Sequence, residues 1–589
     1  MSRVTQSGLC QVLEKQGLKV VLATLHSRYS HASLALPSLA AACADAAGVT
    51  VIIRELTIHE HPDRLLRCLA GEEAGLYGFS CYIWNVEQTL KLVADLKQIR
   101  PNAIIVLGGP EVSFGAFELM AGNPAIDCVV KGEGEETFRE LIELIVAGGG
   151  LPPGELLETV SGLTCRVDGA IAATPDRNPA ACLDLLPSPF HAGLVDLAKP
   201  LVYVETSRGC PFSCAFCLSS LDRLVRSYSP ERIENDLSLL MAREVATVKL
   251  VDRTFNYDAG RANAIWEFIL RHNRSSLFHF EIAADLLTED NFAVLRQAPA
   301  GIFRFEIGVQ SGDAATLERV GRKSDLERLL ANVRRLREET GVVVHLDLVA
   351  GLPGEGFDGF IESLERLLGT DPHHIQVEPL KVLKGVPMRR IAAEEGYAYA
   401  PAPPYKILRT PSLSFEEIGR IEDISRLLDL IANSGRFPVF LRTVAQEMPL
   451  SMFFAQLARF NSAAEAPEPK SFLELCDLIH RFFVATQGEL PRISDALSFD
   501  YCRAEYPSTT RFPACFCEVA GFREARGADF PHTDPIPAGA RVRRFRRRFL
   551  RNYLEKPWKE EPAEVLFTYV AKQGEGERVL MRTTEERRV

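Results

Sequence analysis

Ser207-Arg-Gly-Cys-Pro-Phe-Ser-Cys-Ala-Phe-Cys217 places Cys210, Cys214 and Cys217 in the spacing Cys-x3-Cys-x2-Cys. Three thiolates closing on one loop can hold three irons of a 4Fe–4S cluster and leave the fourth iron without a protein ligand. An open iron can take a substrate or a cofactor, so the loop points to chemistry rather than to electron carriage alone. The competing reading is a zinc loop. Zinc sites usually supply a fourth Cys or His nearby, and none lies between Cys217 and His272.

Working outward, a strand over 201–205 leads into this loop. Strand patterns over 247–252, 277–283, 301–308, 342–349 and 374–380 follow, separated by helical stretches such as 230–243 and 323–340. Six such units across 201–401 predict a partial (β/α)6 barrel with its functional loops at the strand ends. Upstream, apolar strands over 19–26, 49–56, 75–80, 103–107 and 125–130 alternate with helical segments. That alternation predicts an α/β domain over 1–147, a doubly wound Rossmann-like sheet whose ligands bind at the carboxyl ends of its strands. The run Gly-Gly-Gly-Leu-Pro-Pro-Gly154 opens a connector over 148–200. Residues 402–589 read as a mainly helical C-terminal domain, with Ser414-Phe-Glu-Glu417 and Ser471-Phe-Leu-Glu474 as helix-opening capping boxes. Near its end, the arginines from Arg541 to Arg551 form a basic helix or strand, and 564–570 reads as a terminal strand.

The 589 residues carry a net charge of −11, with 47% hydrophobic and 25% charged side chains. The acidic balance argues against a general nucleic-acid coat. No apolar run reaches the roughly 18–20 residues that a membrane span needs, and the first residues lack a signal-peptide core. Fourteen cysteines scattered through so long a chain fit a reducing cytoplasm, with thiols, one cluster loop and a few buried cysteines.

A Cys-x3-Cys-x2-Cys loop directly after the first strand of a βα barrel resembles the radical S-adenosylmethionine (radical SAM) superfamily, over about residues 201–401. The resemblance implies that SAM chelates the open iron of a 4Fe–4S cluster held by Cys210, Cys214 and Cys217. It implies that Phe216 lies along the adenine and that Glu281, in Phe-Glu-Ile-Ala-Ala-Asp285, is an acid near SAM. It also implies that Gln310 and Ser311, ending Phe305-Glu-Ile-Gly-Val-Gln-Ser311, belong to the SAM site, and that Arg322 meets the SAM carboxylate. A guanidinium fork matches a carboxylate bidentately. The family's Gly-Gly-Glu run after the second strand is not visible. Asp252, in Val-Asp-Arg-Thr-Phe-Asn256, either lines the cavity or caps a turn.

A doubly wound sheet ahead of such a barrel resembles the cobalamin-binding subgroup of these enzymes. The runs that carry this are Tyr29-Ser-His-Ala-Ser-Leu-Ala-Leu-Pro37, Gly78-Phe-Ser-Cys-Tyr-Ile-Trp-Asn85, Leu107-Gly-Gly-Pro-Glu111 and Lys131-Gly-Glu-Gly-Glu-Glu-Thr-Phe138. The residues it implies at cobalamin are Ser30, Ser80, Tyr82, Trp84, Asn85, Gly108, Gly109, Glu111 and Gly134. Many cobalamin proteins carry Asp-x-His-x-x-Gly, whose histidine ligates cobalt, and this chain has no such run. Base-off cobalamin without a histidine ligand is therefore expected, its lower face meeting water or a side chain near 28–30 or 82–84. No catalytic side chain is assigned.

The activity implied is methyl transfer from SAM, via methylcobalamin, to a carbon of an unidentified substrate. Hydrogen abstraction by the 5′-deoxyadenosyl radical would come first. A cyclase or rearrangement enzyme without net methylation is the alternative within enzymes, and a cobalamin sensor the alternative outside them. A transfer-RNA methylthiotransferase fits less well, because the N-terminal sheet lacks that group's own cysteine set. An external low-potential electron donor such as flavodoxin or ferredoxin is the expected partner. The C-terminal domain resembles an uncharacterised domain that follows such barrels. Its Cys502, Cys515 and Cys517 lack a convincing histidine partner for a second metal.

Overall fold

A computed structural model describes residues 17–463, 471–488, 490–507, 512–516, 541–571 and 578–583. The chain divides into two units. One comprises Met1–His345, Gly351–Glu355 and Pro379–Ser414, and the other Leu346–Ala350, Gly356–Glu378 and Phe415–Val589.

In the first unit, strands β1 (Leu18–His26), β2 (Val49–Thr57), β3 (Leu76–Ser80), β4 (Ile104–Gly108) and β5 (Cys128–Val130) pair in parallel. Their order across the sheet is β2-β1-β3-β4-β5. Strand β1, Leu-Lys-Val-Val-Leu-Ala-Thr-Leu-His, is almost wholly buried, as a strand covered by helices on both faces must be. One apolar cluster holds Val21, Tyr77, Leu96 and Ile105, and the other holds Leu22, Phe138, Leu141 and Ile145. The strand order reverses between β1 and β3. In a doubly wound sheet the crevice at that reversal, outside the carboxyl ends, is where a ligand sits.

The connector supplies β6 (Leu163–Val167), antiparallel to β5, and β7 (Ala170–Ala173), antiparallel to β6, which extend the same sheet. Cys128 and Cys165 stand directly opposite in this register, Cα atoms 4.1 Å apart, and are joined as a disulfide. This departs from the expectation of thiols outside the cluster loop. The two cysteines are far apart in sequence, and only the antiparallel turn-back of β6 brings them face to face.

The same unit contains β8 (Leu201–Val204), the short antiparallel pair β9 (Ser207–Arg208) and β10 (Arg226–Ser227), and then β11 (Thr247–Leu250), β12 (Leu277–Ile282) and β13 (Phe303–Gln310). Strands β8, β11, β12 and β13 pair in parallel in that order. Their side chains alternate strictly. Phe278, Phe280, Phe303 and Phe305 are buried, Phe280 and Phe305 against Trp266 of the helix Ala259–His272 and Phe278 and Phe303 against Phe280, while His279, Glu281, Arg304 and Glu306 fall on the opposite face. The two remaining predicted strands are present as Val343–Ala350 and His374–Pro379.

The second unit is mainly helical, as expected, with helices Phe415–Leu430, Pro438–Glu447, Leu450–Ala463, Phe472–Gln487 and Pro491–Ala504. Ser471 caps its helix, its Oγ accepting from the Glu474 amide at 3.2 Å. Phe440, Phe453, Phe482 and Phe483 form the core edge to face or stacked. The basic run is a strand, Arg541–Phe549, paired antiparallel with Ala563–Ala571. Cys515 lies buried on the turn Ala514–Phe516, and Cys517 lies outside the described residues. No helix among the described residues is long and apolar enough to cross a membrane.

Asp500 is fully buried here and accepts from the Phe440 amide at 2.7 Å. Burial pushes its carboxyl up to about 7. An unfolded aspartate ionises near pH 3.9, so between about pH 4 and pH 7 the folded chain holds a proton that the unfolded chain has lost. Stability from this group is therefore full below pH 4 and is lost as pH rises towards 7. Asp500→Asn is expected to shed that loss. Its thermal midpoint, relative to the unsubstituted chain, should rise as pH goes from 5 to 7, and thermal denaturation at several pH values measures this.

Candidate functional site

The cysteine loop is framed at its base by the β9–β10 pair, so its ends are held together while its middle stays irregular. Within it the Cys217 amide donates to the Cys214 carbonyl at 3.2 Å. Cys210, Cys214 and Cys217 are all free, the first two buried and the third partly so. Among the described residues, no three His, Cys, Asp or Glu side chains come close enough to hold one metal ion. A cubane cluster spaces its ligands more widely, one to each iron.

The loop is fastened by Asp252, at the end of β11. Its carboxylate is fully buried and accepts from the Thr206 amide at 3.1 Å, the Thr206 hydroxyl at 2.6 Å and the Ser207 hydroxyl at 2.5 Å. Of the two roles open to Asp252 in the sequence, the structure has it holding a turn. The same turn reaches the next strand, because Asn256 exchanges two hydrogen bonds with the Ala283 backbone, at 2.8 and 2.9 Å.

Arg322 lies across the loop. Its Nη1 points at Cys214 Sγ, 3.6 Å away, and its Nη2 bonds the Gly308 carbonyl on β13. Its Nε is buried with no partner among the described residues. A buried cationic N–H left over in this way suits a carboxylate, so the residues present fit the methionyl end of SAM. Gln310 ends β13 at φ +74° and folds back over Gly308, where an added Cβ would meet Gln310 Nε2 at 2.1 Å. Ser311 is wholly buried and gives its hydroxyl to Glu355 at 2.7 Å. Phe216 is partly buried on the loop.

Glu281 stands on the inward face of β12. Lys249 Nζ lies 3.5 Å from Glu281 and 2.8 Å from Glu306, and His279 Nε2 lies 2.9 Å from Glu306. Burial raises the Glu281 carboxyl, against the pull of Arg253 and Lys249. At Glu306, burial also pushes upward, but His279 close beside it and the bond from Lys249 together hold it down to about 2. The sequence reading missed Lys249, His279 and Glu306. The alternation Phe-His-Phe-Glu-Ile and Phe-Arg-Phe-Glu-Ile, aromatic out and ionisable in, was the signal.

At the switch point of the N-terminal sheet, the loops after β1 and β3 lie side by side. Asn85 is buried and ties them, taking the Tyr82 amide at 2.8 Å and giving Nδ2 to the Leu25 and Ser80 carbonyls at 3.1 and 3.2 Å. Tyr82 and Trp84 stack, centroids 4.4 Å apart, and Trp84 is 47% exposed. Gly108 ends β4. Gly109 follows at φ +103°, where a Cβ would lie 2.6 Å from the Cys81 carbonyl, so only glycine passes this close to the end of β3. Gly134 precedes the helix Glu135–Gly148. These glycine-lined strand ends, with the half-buried Tyr82 and the exposed Trp84 nearby, fit the edge of a large planar ring. Glu111 is buried and engaged by Tyr405 Oη and by Lys384 Nζ at 2.8 Å. Ser30 sits partly buried beside Tyr29, whose ring is 76% exposed with Lys199 Nζ 3.6 Å from its centroid. His26 pairs with Glu55 at 3.1 Å and His31 Nδ1 with Tyr203 Oη at 3.2 Å.

The two sites are joined within this unit. The Ala32 amide bonds the Leu201 carbonyl at 3.3 Å, so the loop after β1 touches the first barrel strand. Arg208, two residues before Cys210, bonds Glu135 at 2.6 Å, Glu133 at 3.3 Å and Glu205 at 2.9 Å. Arg226 bonds Glu133 at 2.6 Å and Asp222 at 2.6 Å. This clasp went unread in the sequence, although both halves, Ser-Arg-Gly-Cys and Lys-Gly-Glu-Gly-Glu-Glu, stand in runs singled out for other reasons.

Three family models match the chain. A B12 binding domain covers residues 18–142, the radical SAM superfamily covers 204–367, and a family described as a protein of unknown function (DUF4080) covers 393–524. An uncharacterized methyltransferase, PH0819 of Pyrococcus horikoshii, is 33% identical over 38% of this chain and 49% of its own length. The cobalamin-dependent radical SAM methyltransferase TokK of Streptomyces tokunonensis is 25% identical over 59% of this chain and 53% of its own. The chain thus spans about half the length of these relatives. Among solved structures, the cobalamin-dependent S-adenosylmethionine radical enzyme OxsB, with aqua-cobalamin and SAM bound, shares the fold. It superposes with TM-score 0.60 at 17% identity, over 83% of this chain and 80% of that one.

Proposed function

We propose that this chain, which belongs to the cobalamin-binding radical SAM enzymes, transfers a methyl group from SAM to a carbon atom of its substrate. The observation that carries the reading is the junction between the two sites. The switch-point loop of the N-terminal sheet touches β8, whose end runs into the cysteine loop. Bound to these residues, the cluster would supply the electron that breaks SAM, and cobalamin would carry the methyl group. The chain's own work is to hold and shield. Cys210, Cys214 and Cys217 take the irons, and Arg322 offers Nε to the SAM carboxylate. Phe216 packs on the adenine, and Glu281, Gln310 and Ser311 complete that side. On the other side Ser30, Ser80, Tyr82, Trp84, Asn85, Gly108, Gly109, Glu111 and Gly134 form the cobalamin seat. Within it Asn85 and Glu111 act by holding the loops, since their polar atoms are already engaged.

A reductant is required by radical SAM chemistry, and a low-potential flavodoxin or ferredoxin in the cytoplasm suits it. The deciding experiment is anaerobic incubation of reconstituted chain with methyl-labelled SAM and a cell extract, followed by mass spectrometry. Label in a product together with 5′-deoxyadenosine is expected, and Cys214→Ala should give neither. Deoxyadenosine without label in any product would favour cyclisation or rearrangement.

The lower face of the cobalamin is expected to lack a histidine. His26, His31 and His59 lie beside the switch point, contacting Glu55, Tyr203 and the Ser27 carbonyl in turn, and none of them stands in an Asp-x-His-x-x-Gly run. The EPR spectrum of the Co(II) form should therefore show no nitrogen superhyperfine splitting from a lower ligand. Such splitting would sink this part of the proposal.

A further inference from the structure

Two polar side chains from outside the cysteine loop reach ligand sulfurs. Thr254, buried in the turn after β11, has its hydroxyl oxygen 3.5 Å from Cys210 Sγ. Arg322 Nη1 is 3.6 Å from Cys214 Sγ. We propose that Thr254 and Arg322 set the reduction potential of the cluster by donating hydrogen bonds to the Cys210 and Cys214 sulfurs. The inference rests on the cluster reading of the cysteine loop and not on methyl transfer.

The position of Thr254 is not incidental. Two residues before it, Asp252 is locked to Thr206 and Ser207, and two residues after it, Asn256 is locked to Ala283. Phe255 between them is fully buried against Trp266 and Phe280. The hydroxyl is thus delivered to the sulfur by a turn fastened at both ends. With a free thiol at Cys210, the S–H can donate to Thr254 while the Thr254 hydroxyl donates to the Arg253 carbonyl, 2.8 Å away. An iron-bound thiolate has no proton to give, so the contact becomes a hydrogen bond to sulfur when the Thr254 hydroxyl rotates from the Arg253 carbonyl to Cys210. Arg322 cannot lose its proton, and its Nη1–H meets Cys214 in either state.

Adding an electron to the cluster increases the negative charge on its sulfurs. Donors to those sulfurs stabilise the reduced state more than the oxidised one, which raises the potential. Without them the same electron donor reduces a smaller fraction of the chain.

The test is an EPR-monitored reductive titration of the full chain, anaerobically reconstituted with iron and sulfide, in the absence of SAM, cobalamin and substrate. Thr254→Val is expected to lower the reduced-to-oxidised ratio at a given potential about tenfold, which for one electron is about 59 mV. Thr254→Ser should restore the unsubstituted value, because it keeps the hydroxyl. Arg322→Met should also shift the ratio downward. An unshifted Thr254→Val, or a Thr254→Ser protein shifted as far as Thr254→Val, would falsify the role of the hydroxyl. If Thr254→Val takes up no iron, Arg322→Met decides. Loss of the cluster from both variants also overturns the proposal, since donors that only tune a cluster are dispensable for holding it. An unsubstituted chain that binds no iron would overturn the cluster reading itself, a result separable from all of these.

Discussion

Arg208→Ala is expected to destabilise the first unit by about 3–5 kcal/mol, the range for removing one partner of a buried ion pair. Arg208 is held by Glu133, Glu135 and Glu205 at once, and its side chain and those acids are largely buried. Without the guanidinium, three carboxylates face one another with little water to screen them. Burial already raises the Glu205 carboxyl against the pull of Arg208, so its loss would drive that group further towards the neutral form. The deficit of the variant should therefore shrink as pH is lowered from 7 to 5, because protonation relieves the repulsion. Arg208→Lys should fall between, since an ammonium keeps the charge but cannot fork to several carboxylates. Denaturant unfolding at both pH values checks the size and the sign. A loss well under 1 kcal/mol would mean that the clasp is a crossing of side chains and not a fastening.

Asp252→Ala is expected to cost about 3 kcal/mol or more and to empty the cysteine loop of iron. Hydrogen bonds to a charged group contribute roughly 1.5–3 kcal/mol each, and a buried donor left without its acceptor adds a penalty. Asp252 serves Thr206 twice and Ser207 once, and all three residues are buried. Asp252→Asn should fall between, since its carbonyl can keep the Thr206 amide and its NH2 can give to the two hydroxyls, while the charge is lost and the NH2 faces Arg261 Nη2, 3.4 Å from the present Oδ1. Iron per chain after reconstitution, beside the unfolding midpoint, separates the two effects. Normal iron uptake in a folded Asp252→Ala chain would show that the loop does not depend on this anchor.

The legibility of this chain followed the range of its interactions. Helical and strand periods are local, so the alternation in the N-terminal domain and the barrel could be read directly, and β1 lies where its apolar run predicted. The basic run remained helix or strand until its pairing with Ala563–Ala571 was in view, because arginine fits either and the partner strand decides. The polar residues of the site were harder. Ser311 and Glu111 stand in runs that mark them for cofactor contact, yet their side chains are turned on Glu355 and on Tyr405 and Lys384. Short motifs record that a residue is needed at a strand end and not which neighbour it meets.

What the sequence determined by itself is the chemistry that can be written within a few residues. Three thiols between Cys210 and Cys217 are set within one loop, at the spacing a cluster needs, whatever surrounds it. The tertiary structure alone decided how that loop is held and tuned. Arg208 and Glu135 are 73 positions apart, and Thr254 and Cys210 are 44. Such pairs depend on the order of strands and on the packing of one domain against another. No local pattern encodes a distance across a sheet, so the clasp, the anchor at Asp252 and the donors to sulfur emerged only when the strands were laid side by side.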